Sequence, residues 1–135
     1  MACLDTTILL DATGGNRAMR KRALAKVKEL IDRGQPLATT RFNVAELYVG
    51  VYRSEDPASE EQTVRKMLTG LSILDFDEKA MVLFGRITAF LQQMGRPAGD
   101  MDVLIAATAM AQGHLLVTRN AAHFRLVPNL EVETY

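Results

Sequence analysis

The stretch Asp100–Asn120 constrains the fold of this chain more than any other. Asp100 and Asp102 precede a run rich in Ala, Leu and Met that ends at Gly113, and Leu115-Leu116-Val117 follows. Gly after a periodic apolar run is a helix stop, so the segment reads as helix, tight turn, short strand. Apart from Thr108 the helix has no polar face. Helix and strand are therefore both expected to be buried, as in a sheet covered on its two faces. A short turn makes the two elements antiparallel, which places the helix start, with Asp102, beside the strand end, with Thr118-Arg119-Asn120. Either Asp100 or Asp102 can serve as a simple N-cap; carboxylates at the start of a buried helix also mark a candidate site.

The remaining chain alternates in the same way. Ala2-Cys3-Leu4 reads as a buried strand ending at Asp5, followed by a short helix. Asn16–Arg33 is an amphipathic helix with Met19, Ala23, Val27, Leu30 and Ile31 as its apolar stripe. Its other side carries Arg17, Arg20, Lys21, Arg22, Lys26 and Lys28. In a chain of zero formal net charge, that side is either a solvated face or an anion-binding one. Residues 36–39 form a second strand. A helix from about Arg41 to Arg53 follows, with Val44, Leu47, Tyr48, Val51 and Tyr52 directed at the core. Glu46 is the lone charge inside that helix, and a lone acid among apolar neighbours needs a partner. Asp56-Pro57 starts another helix. Residues 73–76 form a third strand, Asp77 caps a long helix ending at Gly95, and Glu131–Glu133 is a last edge strand.

Alternating strands and helices argue an α/β fold with a mostly parallel central sheet between helical layers, in a single domain spanning 1–135. One cysteine excludes a disulfide framework or a cysteine-rich zinc site and fits a cytoplasmic setting. No apolar run reaches membrane-spanning length.

Right-handed connections bring the carboxyl ends of parallel strands to one edge. Asp5, the start of the Glu46 helix, Asp102 and Asn120 all fall there. Two unit charges about 4 Å apart repel by roughly 4 kcal/mol at an effective dielectric of 20. A hard divalent cation relieves such a conflict, and an all-oxygen set suits Mg²⁺ or Mn²⁺ rather than zinc. Metal-assisted phosphodiester hydrolysis is the chemistry that follows. Thr6 and Thr118 either donate to these carboxylates or serve ordinary turns. His114 and His123 lack the spacing of a general base paired with a nucleophile.

Leu4-Asp5-Thr6-Thr7, Ala45-Glu46-Leu47, Asp102–Ala107 and Leu116–Asn120 with Phe124 resemble the motifs of PIN-domain ribonucleases, and within that family those of VapC-type toxins of bacterial toxin–antitoxin pairs. The resemblance implies a sheet of about five parallel strands, Mg²⁺-dependent endoribonuclease activity, a homodimer and a cognate antitoxin. Carried over by motif, Asp5, Glu46, Asp102 and Asn120 are the catalytic set, with Asp5, Glu46 and Asp102 as metal ligands. Asp100 is an extra acid placed as an outer-shell ligand, which leaves the choice between Asp100 and Asp102 open. Thr7 stands where Asn or Ser is commoner, and an uncharged Asn120 offers less to a second metal. Arg17, Arg20, Lys21 and Lys28 are the expected RNA contacts. A binding subunit that represses DNA together with its antitoxin is the alternative. A phosphoacceptor domain is disfavoured, because no Lys ends the strand at Thr118.

Overall fold

The computed structural model describes residues 1–135. In chain order the elements are β1 (Ala2–Leu4), α1 (Thr6–Thr13), α2 (Arg17–Asp32), β2 (Leu37–Thr40), α3 (Arg41–Arg53), α4 (Pro57–Leu68), β3 (Ser72–Leu74), α5 (Glu78–Gln93), α6 (Asp100–Ala111), β4 (Leu115–Val117), α7 (Ala121–Phe124) and β5 (Val132–Glu133). The strands form one sheet of order β3-β2-β1-β4-β5, parallel throughout. This is the α/β arrangement expected from the alternation of elements.

Side-chain alternation along these short strands divides the core into two layers. Cys3, Ala38, Leu74 and Leu116 face α5 and α6, where they meet Ile87, Leu91, Val103, Ile105, Ala106 and Ala109, with Phe124 and Val127 beside them. Ala2, Leu4 and Val117 face the opposite way, toward Ile8, Leu9, Ala23, Leu30, Leu47, Val51 and Val64 of α1 to α4. The unpolar α6 is buried as its composition requires: Val103 and Ile105 to Ala109 are all inaccessible. Gly113 takes φ 70°, the left-handed turn that lets α6 reverse into β4.

Several boundaries and faces differ from the sequence reading. β2 ends one residue later than expected, because Thr40 is both its last residue and the N-cap of α3. β3 ends at Leu74, not Phe76. The Phe76 ring leaves the sheet and packs edge-on between Phe42 and Phe84, at centroid distances of 5.4 and 6.3 Å. Ile31 and Tyr52, expected in apolar stripes, are exposed. Lys26, assigned to the basic face, is buried and bonds Glu133 of β5 at 2.8 Å. Neither Asp100 nor Asp102 caps α6. Gly99 holds the N-cap position, both acids lie in the first turn, and no side-chain capping bond forms.

Candidate active site

β1 is followed to one side by β2 and β3, while β4 returns on its other side. The order of strands therefore reverses between β1 and β4. In open parallel sheets the crevice beyond the strand ends at such a reversal is where ligands bind. Leu4 pairs with Val117 in the ladder, and the Asp5 N–H donates to the Val117 carbonyl at 3.0 Å. The first residue after β1 is thus set directly beside the first residue after β4.

Asp5 is only 5% exposed. A buried carboxylate needs its lone pairs satisfied. Its Oδ2 accepts from the Thr118 hydroxyl at 2.7 Å, with the Thr7 hydroxyl at 3.4 Å, and its Oδ1 accepts from Asn43 Nδ2 at 2.9 Å. Asn43 is wholly buried on α3, and its amide is fully used. Nδ2 also donates to the Thr6 hydroxyl at 3.0 Å, while Oδ1 accepts from the Thr40 hydroxyl at 2.7 Å and the Thr40 N–H at 3.2 Å. Since Thr6 Oγ1 accepts from Asn43, its single hydrogen is directed to Glu46 Oε1, 2.7 Å away. The direction of each bond in this chain is fixed by Asn43, which can only donate through Nδ2.

Asn43 is the residue that the sequence reading missed. It shares a stripe with Leu47 and Val51, the other buried positions of α3. A polar residue at a core position, spaced four and eight residues from its apolar partners, is the signal that identifies it. Thr40 and Asn43 also close a reciprocal capping box, which anchors the start of the Glu46 helix.

Glu46 and Asp102 are half-buried, and both carboxyls are held above the ordinary acid range. Burial is the main cause in each case. The Thr6 bond partly offsets the rise at Glu46, to which the charges of Asp5 and Asp102 add; at Asp102 the Asp5 charge adds, and His123 opposes. Asp5 thus acts on both of the other acids, and Asp102 on Glu46. His123 Nδ1 stands 3.6 Å from Asp102 Oδ2, at the mouth of a hollow of about 240 Å³ that Pro97, Gly99 and Leu126 also line.

The other expected site residues are distributed unevenly. Asn120 is exposed at the start of α7, with its N–H on the Thr118 hydroxyl at 3.0 Å and no side-chain capping bond. Asp100 lines a different hollow with Thr88, Leu91 and Gln92, against α5, apart from the hollow that Asp102 borders. On α2, Lys28 pairs with Asp32 at 2.6 Å and Arg20 reaches the Gly14 carbonyl at 3.4 Å. The basic face is thus partly neutralised within the chain.

No three of the acids stand close enough, as placed, to enclose a metal ion. The chemistry of the donor set nevertheless suits one. Asp5, Glu46 and Asp102 offer hard oxygen ligands, and two of them carry a raised proton affinity that a divalent cation would relieve.

The PIN domain model matches residues 2–129. Ribonuclease VapC2 of Haemophilus influenzae is 31% identical over 132 residues, which cover 98% of this chain and 96% of that protein. Ribonuclease VapC2 of Rickettsia felis is 33% identical over 79% of this chain and 80% of its own. Among solved structures, Rickettsia felis VapBC2 bound to a DNA fragment from its promoter superposes with a TM-score of 0.86 at 29% identity, covering 99% of this chain and 98% of that one. The acids that converge at the β1–β4 reversal lie in a chain that belongs to the PIN-domain family, among the VapC-type ribonuclease toxins of toxin–antitoxin pairs.

Proposed function

We propose that this chain cleaves RNA phosphodiester bonds at the crevice between β1 and β4, with Asp5, Glu46 and Asp102 as its acidic centre and Mg²⁺, or Mn²⁺, as its cation. The observation that carries this reading is a buried Asp5 held by Thr118 and Asn43 while its charge raises the proton affinity of Glu46 and Asp102. A bound divalent cation supplies charge stabilisation at a phosphoryl oxygen and lowers the pKa of water. The chain's own part is to hold the Asp5 carboxylate fixed in direction through Thr118 and Asn43. Glu46 Oε1 is occupied by Thr6, which leaves Oε2 to take a proton from an attacking water. Asn120 orients the substrate from the rim, and Asp100 supports the α6 start from outside the centre. Arg17, Arg20, Lys21 and Lys28 contact the RNA backbone, with Lys28 exchanging Asp32 for phosphate.

The chain works as a single domain in the cytoplasm, as a homodimer whose activity a cognate antitoxin restrains; no helix is long and apolar enough to cross a membrane. The promoter-bound Rickettsia felis complex favours a second role, in which this chain and its antitoxin repress transcription together. The test uses metal-stripped protein and total cellular RNA, with Mg²⁺, Mn²⁺ or Zn²⁺ added and the cleaved ends mapped. Discrete ends with Mg²⁺ or Mn²⁺, and none with Zn²⁺ alone, are expected. Absence of calorimetric binding of Mg²⁺ and Mn²⁺, with and without RNA, would exclude the acidic centre.

A further inference from the structure

The turn that carries Thr118 to Asp5 is also tied to Asp11, one helical turn beyond Thr7 on the same face of α1, by a set of bonds that the acidic centre does not itself use. Arg119 places its guanidinium on Asp11. Its Nε lies 2.9 Å from Asp11 Oδ2 and its Nη2 3.4 Å from Asp11 Oδ1. Asp11 Oδ2 also accepts from the Tyr135 hydroxyl at 2.7 Å. Asp11 is largely buried beneath these two partners, with 13% of its side chain exposed.

Tyr135 is itself held in place. Its backbone oxygen accepts from Arg22 Nη2 at 2.7 Å. Two residues earlier, Glu133 is gripped by Lys26 at 2.8 Å and by Arg33 at 2.9 and 3.2 Å. Burial, followed by the Asp11 bond, pushes the Tyr135 phenol up to about 12, so it remains a donor at any working pH.

At its other end the connection reaches the site through the main chain. The Arg119 N–H donates to the Thr7 hydroxyl at 3.0 Å, and the Asn120 N–H donates to the Thr118 hydroxyl at 3.0 Å. Each of those hydroxyls lies within bonding reach of Asp5 Oδ2. Thr118 accepts from Asn120, so its one hydrogen goes to Asp5.

We infer that Asp11, Arg119 and Tyr135 are positioning residues: a latch that holds the turn of residues 118–120 so that its hydroxyl stays on Asp5. The inference rests on Asp5 belonging to the reactive centre, as proposed above. A planar guanidinium fork on a buried carboxylate fixes orientation as well as distance, which a Lys cannot reproduce. None of the three side chains has to touch RNA for the latch to act.

The test combines backbone amide exchange by NMR with steady-state cleavage of an RNA that the wild type cuts. Tyr135→Phe removes a single hydroxyl and is expected to fold. Combined with Asp11→Asn, it should speed exchange at the Arg119 and Asn120 amides at least tenfold, while the Ala38 and Leu116 amides in the sheet stay within twofold of wild type. In the same variant kcat should fall five- to twentyfold with KM within twofold. Arg119→Lys should recover part of the kcat that Arg119→Ala loses. Wild-type exchange at both turn amides overturns the latch, as does equal acceleration at the sheet amides. A loosened turn with unchanged kcat overturns its link to the site. If the wild type cuts no RNA, the nuclease reading fails, and the exchange data still decide whether the latch exists.

Discussion

Asp102 and Asp100 are separated by two positions and face different hollows. Asp102→Asn should lower cleavage on the order of a hundredfold or more, whereas Asp100→Asn should leave most of it. Stability runs the other way. A carboxyl whose pKa is raised by folding contributes stability below its folded pKa and loses it as pH rises through that value. Both Asp102 and Glu46 are in this class. Metal-free Asp102→Asn, relieved of that charge, should melt at or above the wild-type temperature at pH 7, measured by calorimetry. The change costs no cap, since Gly99 and not Asp102 occupies that position. Asn43→Ala has the opposite signature. It leaves Asp5 Oδ1 and both Thr40 donors without their partner, at a cost of about 2–3 kcal/mol. Chemical denaturation should show that loss, together with at least a tenfold drop in cleavage. As candidates, Asp5 and Asp102 could be read from a strand end and a helix start, and Glu46 from being a lone charge among apolar neighbours. Asn43 could not, because an uncharged amide in a helix resembles a surface residue until Leu47 and Val51 define which face is inward.

At the scale of elements, the strands and long helices followed from alternation, caps and glycine stops. The errors lie where one residue belongs to two elements or where tertiary contacts override periodicity. Thr40 ends β2 and begins α3 at once, and the ring of Phe76 is claimed by Phe42 and Phe84 before it can extend β3. The basic side of α2 illustrates the second case. Nothing local to α2 indicates that Glu133, 107 residues away, turns Lys26 inward. That pairing makes a pH prediction. Arg33 and Lys26 hold the Glu133 carboxyl down at about 2, against an ordinary value of 4.5. A depressed folded pKa stabilises above the unfolded value and loses its contribution as pH falls toward the folded one. After allowance for solvent screening, about 1–2 kcal/mol should be present at neutral pH and lost between roughly pH 4.5 and 2. Glu133→Gln should be less stable than wild type at pH 7, and the two should converge at pH 2. A constant difference across that range would show that packing, and not charge, anchors β5 to α2.

At the scale of the molecule, the position of β1 at the centre of the sheet has a temporal meaning. β1 is the first strand in the chain, yet its partners begin at residues 37 and 115. The Thr118–Asp5 bond closes a separation of 113 residues, and the Arg119–Asp11 pair one of 108. Contacts of such long range form late, because the closing of the intervening loop must precede them. A nascent chain emerging from a ribosome exposes Asp5 early, but it has no Asp102 until α6 emerges and no Thr118 until β4 has followed. The acids proposed as the reactive centre therefore come together only after α6 and β4 have both emerged. A chain from which β4 has yet to emerge lacks the arrangement proposed to cut RNA.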